Sequence, residues 1–195
     1  MRRQLVSLVA LVMVAGSMAS AQEAGEQAAL LSADASKMGD FDVTFKDGKK
    51  TEDSKGDLPQ PWSMNTWNAG ATIQAVLAEE PTTKTKAVAI RCLDASGVQF
   101  YNWKQVPLTA GRQYEASIEY FAGPGAGGNF SAFGEKVPEQ KVDLSGDKKE
   151  FATEKLVINQ KEDGMLNVRI QSFGTGADKG IWFKSIKVVE VGEAK

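Results

Sequence analysis

Residues 98–122 read VQFYNWKQVPLTAGRQYEASIEYFA, and this stretch decides the fold class. From Gln113 to Ala122, apolar and polar side chains alternate with the period of two that is typical of a half-buried β-strand. Ala110-Gly111 supplies a turn between this strand and the one before it. The stretch therefore predicts two consecutive strands, 98–108 and 113–122, joined by a short turn.

Similar runs recur on both sides of this pair. Beyond Pro81 the candidate strands are Lys86–Leu93, Val98–Leu108, Gln113–Ala122, Asn129–Phe133, Lys141–Leu144, Glu154–Asn159, Met165–Phe173 and Ile181–Val191. Many short strands separated by turn dipeptides predict an all-β chain, folded as an antiparallel sandwich or barrel. Before Pro81, Phe41–Phe45 alternates in the same way. Ala71–Glu80 stays ambiguous, because its composition favours a helix and its position favours a strand.

The first 21 residues have the pattern of a cleaved signal peptide. Arg2 and Arg3 precede an apolar run that is too short to span a bilayer, and Ala19-Ser20-Ala21 has the small residues that signal peptidase requires. We therefore expect cleavage after Ala21 and a secreted or periplasmic protein without membrane insertion. Residues 22–38 are predicted to be a flexible or weakly helical leader to one β-sandwich domain at 39–192.

Composition argues against several classes of function. The sequence has no histidine, so it lacks the commonest general base and the usual zinc ligand, and we expect no catalytic residues. Its formal net charge of −2 gives no electrostatic basis for binding nucleic acid. Cys92 cannot form an internal disulfide, and its apolar neighbours predict a buried, inert thiol. Gly123–Gly128 fits a phosphate-binding pattern, but a strand-like run follows it where a helix is needed, so we predict a hairpin loop.

Alternation also assigns a set of polar and aromatic side chains to the surface. These outward candidates for ligand binding are Gln99, Tyr101, Trp103, Gln105, Arg91, Glu119, Arg169 and Gln171. Aromatic rings pack on the apolar face of a sugar, while planar polar groups bind its hydroxyls. Solvent-facing strand positions also favour aromatic residues, so the pattern alone leaves both interpretations open. Trp103 is the first choice for an aromatic platform.

Four segments resemble a known family. They are Gly39-Asp40-Phe41-Asp42, the strand 87–91, the stretch Gln105–Ile118 with its Ala-Gly-x-x-Tyr turn, and the closing run Ile181–Val188. On these segments the chain resembles carbohydrate-binding modules of the jelly-roll, galactose-binding-like type, the group that joins families 4, 9, 16 and 22. The resemblance implies a jelly-roll sandwich that binds a polysaccharide or oligosaccharide on one sheet face without catalysis. It adds Trp182 and Trp62 to the candidate ligand-binding residues.

The resemblance also bears on metal binding. Many members of that group hold a structural calcium between acids of the opening segment and of the closing strand. Here Lys184 and Ser185 stand where those closing acids would be, and a lysine repels a cation. We therefore expect no metal and no cofactor.

Two other functions stay open on the sequence. A structural or adhesive cell-envelope sandwich that binds protein partners would need an exposed apolar patch or an unpaired edge strand. A small glycosidase that retains configuration would need two carboxyl groups about 5 Å apart. Glu115 and Glu119 share one face of one strand, but four residues of strand separate them by about 13 Å.

Overall fold

The computed structural model describes residues 28–146 and 148–194, so the predicted signal peptide and residues 22–27 of the predicted leader lie outside the described residues. Within the described ranges the chain forms strands and no helix. The strands are β1 (Leu31–Asp34), β2 (Asp42–Lys46), β3 (Lys49–Lys50), β4 (Trp62–Asn65), β5 (Thr72–Glu79), β6 (Lys86–Cys92), β7 (Val98–Asn102), β8 (Val106–Leu108), β9 (Arg112–Ala122), β10 (Gly127–Glu135), β11 (Val137–Ser145), β12 (Ala152–Asn159), β13 (Gly164–Ser172) and β14 (Ile181–Glu193). Accordingly, these residues contain no helix able to cross a membrane.

The strands form two antiparallel sheets that pack face to face as a sandwich. The large sheet has eight strands in the order β12-β9-β14-β6-β5-β2-β3, with β1 also paired to β14. The small sheet has six strands in the order β11-β10-β13-β7-β4, with β8 also paired to β13. The predicted all-β, antiparallel sandwich is confirmed.

Strand β14 has the most partners in the large sheet. It pairs with β9 along most of its length, with β6 through Ile181–Phe183, and with β1 through Ser185–Val188. The last strand in chain order is therefore central to the large sheet.

The core between the sheets contains a column of aromatic rings. Trp62 of β4 stacks on Phe100 of β7 with ring centroids 5.1 Å apart and planes 11° from parallel. Phe100 in turn meets Phe183 of the large sheet at 5.4 Å. Burying each such side chain stabilises the fold by roughly 1.5–3 kcal/mol. Cys92 is a free thiol buried in the same core, as predicted.

The predicted leader is wrong where β1 forms. Leu31 and Ala33 point into the core, and their strand pairs with β14 in the register Leu31↔Val188. Two buried apolar side chains and a ladder of backbone hydrogen bonds outweigh the weak helical propensity of this Ala- and Glu-rich region. The ambiguity at 71–80 is also resolved, since Thr72–Glu79 is strand β5.

The predicted single strand 98–108 is two strands, β7 and β8, with a break at 103–105. Asn102 causes the break, because its buried side chain donates to the carbonyl of Lys104 at 2.7 Å. Its Oδ1 also accepts from the Val168 amide at 2.7 Å. Side chains of this type compete with the sheet ladder for backbone groups, which the alternation of residues 98–106 did not reveal.

Candidate functional site

Four predicted site residues lie side by side on the small sheet. Tyr101 of β7 is directly opposite Arg169 of β13, and Gln99 is opposite Gln171. Their neighbours in each strand, such as Phe100 and Ile170, point into the core, so these four side chains point outward. The sequence had assigned each of them to an outer face, and the register brings them onto the same one.

Two further predicted residues lie at one end of this surface. Gln105 donates from Nε2 to Asn167 Oδ1 at 2.9 Å, which attaches the break between β7 and β8 to β13. Trp103 is 54% exposed, and its backbone amide donates to the carbonyl of Pro61 at 2.9 Å. Trp103 also lines a groove of about 760 Å³ together with Leu30 and Pro61.

Three predicted residues lie instead on the outer face of the large sheet, on the opposite side of the molecule. Arg91 is on β6, Glu119 on β9 and Trp182 on β14. Alternation shows whether a side chain points inward or outward, but it does not show which of two sheets its strand joins. The structure therefore separates these three residues from the surface that carries Tyr101.

The large-sheet residues are also engaged with protein groups. Trp182 is only 7% exposed because it packs against Val76, Ala89 and Phe121. Arg91 donates to Gln74 Oε1 at 2.8 Å and to the carbonyl of Ala177 at 3.0 Å, and burial lowers its pKa although Asp42 partly offsets that effect. Glu119 pairs with Lys184. These contacts support packing of the large sheet.

Trp62 is also misassigned by the sequence analysis. It is 3% exposed, stacks on Phe100 and belongs to the core. A buried indole offers no ring face to a ligand at the surface, so Trp62 is removed from the candidate site.

The surface that remains is the outer face of the small sheet, here called the small-sheet face. Its side chains come from five neighbouring strands in matched positions. They are Ser63 and Asn65 of β4, Gln99 and Tyr101 of β7, Asn167, Arg169 and Gln171 of β13, Asn129, Ser131 and Phe133 of β10, and Glu139, Lys141 and Asp143 of β11. The face therefore combines amides, hydroxyls, both signs of charge and two aromatic rings.

Three buried polar atoms on this face have no hydrogen-bond partner among the described residues. They are Asn129 Oδ1, Ser131 Oγ and Arg169 Nε. Ser131 is fully buried and lies directly opposite Arg169, and Asn129 is two residues further along β10. A buried polar atom without a partner destabilises a fold by about 1–3 kcal/mol, and such atoms are rare in native proteins. Their grouping on two neighbouring strands distinguishes this part of the surface from an ordinary solvent face.

An exposed aromatic pair lies at the end of the small-sheet face opposite to Trp103. Trp67 and Phe173 are 49% and 45% exposed, and their ring centroids are 6.2 Å apart at an angle of 59°. The Trp67 indole lies against Gly97, where a Cβ would come within 1.9 Å of the ring. The loop that carries Trp67 is held by a bond from Thr66 Oγ1 to the Gly97 carbonyl at 2.6 Å. The pair is thus fixed in place, about 20 Å along the strand from Trp103.

Several of these residues were missed by the sequence analysis. Asn129, Ser131 and Phe133 alternate with Phe130 and Ala132, so a strand prediction for 129–133 already placed them on one face. The pairing of Trp67 with Phe173 joins residues from different strands across Gly97, and no local pattern indicates it. Within 28–146 and 148–194 there is no cluster of three or more Asp, Glu, Cys or His side chains that could hold a metal.

Comparison with known proteins identifies the fold. No protein-family model and no curated protein matches the sequence. The CBM22-1 xylan-binding domain from Paenibacillus barcinonensis Xyn10C matches with a TM-score of 0.50 at 11% identity, covering 86% of this chain and 97% of that one. TmCBM61, solved with β-1,4-galactotriose, matches at 0.47 and 15% identity over 69% and 90% of the two chains. A CBM4 structure matches at 0.41 and 18% identity over 67% and 86%. The CBM22-1 match confirms the predicted jelly-roll β-sandwich as the fold.

Proposed function

We propose that this protein binds a polysaccharide or oligosaccharide on the small-sheet face. The observation that carries the proposal is the strand register, which places the outward side chains of Gln99, Tyr101, Arg169 and Gln171 side by side. Amide, phenol and guanidinium groups donate and accept hydrogen bonds, and a sugar presents hydroxyl groups that do both. Three buried polar atoms of the same face, Asn129 Oδ1, Ser131 Oγ and Arg169 Nε, lack partners among the described residues.

The aromatic residues support the same ligand class. Tyr101 lies within the face, Trp67 and Phe173 are exposed at one end, and Trp103 is exposed at the other. Exposed rings next to planar amides suit a ligand with an apolar C–H face and a polar edge. The xylan-binding domain that shares the fold is a precedent, but fold analogy alone does not assign a ligand, and the proposal rests on the side chains.

We propose binding without catalysis. The carboxyl-bearing residues of the face, Glu139 and Asp143, lie four residues apart on β11, a separation of about 13 Å. A retaining glycosidase needs about 5 Å between its carboxyl groups, and an inverting one about 6.5–9.5 Å. Glu139 is moreover paired with Arg169. Incubating the protein with a bound polysaccharide should release no new reducing ends, and a time-dependent release would refute this part of the proposal.

A glycan array probed with the purified protein, followed by calorimetric titration of the hits, tests the binding. Asn129→Ala should weaken affinity about three- to tenfold, because a typical hydrogen bond contributes about 0.5–1.5 kcal/mol. Ser117→Ala is the matched control, since Ser117 points outward from the large sheet and should leave affinity unchanged. Absence of any glycan hit, or equal affinity in the two variants, would contradict the proposal.

A protein-binding role in the cell envelope is the second candidate. The specific observation in its favour is the exposed Trp67–Phe173 pair, because apolar surface of this kind also marks protein interfaces. The two roles differ in the polar part of the face. A protein partner seated on the aromatic pair would be lost with Trp67→Ala and unaffected by Asn129→Ala, whereas glycan binding depends on both residues.

The proposal includes export. It is supported by the signal-peptide pattern of residues 1–21, which ends in Ala19-Ser20-Ala21. Mass spectrometry of the protein from the periplasm or medium of an expressing bacterium should find a chain that begins at Gln22. Recovery of the uncleaved chain in the cytoplasm alone would refute this part.

A further inference from the structure

The Arg169 side chain is held by two neighbours across β10. It starts on β13, and its Nη2 donates to Glu139 Oε1 of β11 at 2.6 Å. Phe133 lies on β10, between these two strands, and the guanidinium carbon of Arg169 is 4.6 Å from the centroid of its ring. At this distance a cation and an aromatic ring attract each other. The guanidinium is therefore fixed in position, with its Nε without a partner among the described residues.

This pairing determines what Arg169 can offer a ligand. Arginine binds carboxylates best through two parallel N–H groups, but here one terminal nitrogen is already bonded to Glu139. A ligand carboxylate that approached Arg169 would also come close to the Glu139 carboxylate, and like charges repel. A neutral hydroxyl meets no such repulsion and can accept from the exposed part of the guanidinium, because the Arg169 side chain is 21% exposed.

The other charges of the small-sheet face do not change this balance. Arg169 and Lys141 contribute two positive charges, and Glu139 and Asp143 contribute two negative charges. Glu135, at the end of β10 opposite Met165, adds a third negative charge beside the face. The face thus has no net positive charge to attract an acidic polysaccharide. Removing the Glu139 charge would leave an unpaired arginine at its centre.

We propose that Glu139 is a specificity-determining residue of this face. It acts through Arg169, whose charge it neutralises and whose position it fixes, so that the site selects neutral glycans and discriminates against glycans that carry carboxylates. The inference rests on the proposed glycan binding and adds the class of glycan and the residue that sets it.

Matched pairs of polysaccharides test the proposal by affinity electrophoresis of the full protein. One pair is hydroxyethyl cellulose and carboxymethyl cellulose, and the other is methyl-esterified galacturonan and polygalacturonate. The wild-type protein should bind the neutral member of each pair at least about five times more tightly than the acidic member. This ratio corresponds to about 1 kcal/mol, the size expected for an interaction between partly exposed charges. Glu139→Gln should raise affinity for the acidic member by a similar factor, so that the ratio of the neutral to the acidic affinity falls toward one.

Asp143→Asn is the matched control, because it removes the same charge from the same strand outside the Arg169 pair. It should give a smaller gain for the acidic member than Glu139→Gln. The gain in Glu139→Gln should also disappear at high salt, which screens exposed charges. Denaturation midpoints of both variants show whether they fold, and Glu139 is exposed enough that we expect both to do so.

The outcomes separate the two proposals. If the wild-type protein binds none of the four polysaccharides, the inference fails; if it also binds no glycan of the array, the proposed function fails with it. If it binds and prefers the acidic members, or if Glu139→Gln and Asp143→Asn gain equally, only the role of Glu139 is overturned.

Discussion

Replacing Gly97 by alanine should displace the exposed aromatic pair at the end of the small-sheet face. Gly97 has a φ of +97°, and an added Cβ would lie 1.9 Å from Cζ2 of Trp67. Van der Waals contact requires at least about 3.4 Å, so the indole would have to move by about 1.5 Å. Such a movement changes the contact between Trp67 and Phe173, whose ring centroids are now 6.2 Å apart.

Two effects set the size of the change. A side chain at positive φ destabilises the folded state by about 1–2 kcal/mol, and loss of an aromatic pair costs about 0.5–1.5 kcal/mol. The free energy of unfolding of Gly97→Ala should therefore fall by about 2–3 kcal/mol. Gly125→Ala is the matched control, because Gly125 has a φ of +72° and nothing within 4 Å of an added Cβ. Gly125→Ala should show only the destabilisation that comes from a side chain at positive φ. The free energies of unfolding of the two variants should therefore differ by about 1 kcal/mol, the contribution of the aromatic pair.

Urea unfolding measures the free energy of unfolding of both variants, and acrylamide quenching of tryptophan fluorescence measures the solvent exposure of the indole. Trp62 and Trp182 are buried, so quenching reports mainly Trp67 and Trp103. Gly97→Ala should be quenched more strongly than wild type, and Gly125→Ala should match wild type. Equal destabilisation of the two variants, with unchanged quenching, would refute the argument that Gly97 makes room for the pair.

Three further changes address the core and the turns. Trp62→Ala should lower the free energy of unfolding by about 3–5 kcal/mol, because the indole stacks on Phe100 in the core; a loss below about 1 kcal/mol in urea would contradict the core assignment. Asn102→Ala should lower the free energy of unfolding by about 1–3 kcal/mol and speed hydrogen exchange of the Val168 amide, which would lose its acceptor. Unchanged exchange would show that this hydrogen bond does not stabilise the break between β7 and β8. Burial raises the pKa of Glu80, but hydrogen bonds from the amides of the turn that follows lower it more, so the folded pKa lies below its ordinary value. The stabilisation by Glu80 is then fully present above the ordinary pKa and is lost as the pH falls through the folded pKa. Glu80→Gln should therefore have a lower free energy of unfolding than wild type at neutral pH and the same free energy of unfolding in acid. A difference between the two proteins that does not depend on pH would contradict this explanation.

Whether a side chain of a strand points toward the core or toward solvent could be predicted from the sequence, whereas the sheet to which each strand belongs could not. Alternation placed Tyr114 inward and Glu119 outward on β9, and the structure agrees. It also placed Glu119 and Gln99 in one candidate site, although their strands belong to different sheets. Sheet membership depends on pairing between distant parts of the chain, which a local period does not encode.

Local exceptions to the pattern also arose from distant or buried partners. Leu31 and Ala33 form a strand only because β14 is there to pair with it. Asn102 ends β7 because its side chain is buried where it can bond two backbone groups, one of them on β13. The unpartnered atoms of Asn129 and Ser131 likewise depend on how neighbouring strands cover them, which a single sequence does not display.

The position of β14 also determines when this chain can fold during its synthesis. Leu31 pairs with Val188, and Ile90 with Ile181, so β1 and β6 have no such partner on the ribosome until residues 181–188 have emerged. Such distant pairing makes folding slow compared with folds built from local contacts. A nascent chain that cannot complete its large sheet early stays unfolded for longer. An unfolded chain is the form that passes through a general secretory channel. The same strand that closes the sandwich would thus keep the newly made protein competent for the export that we propose.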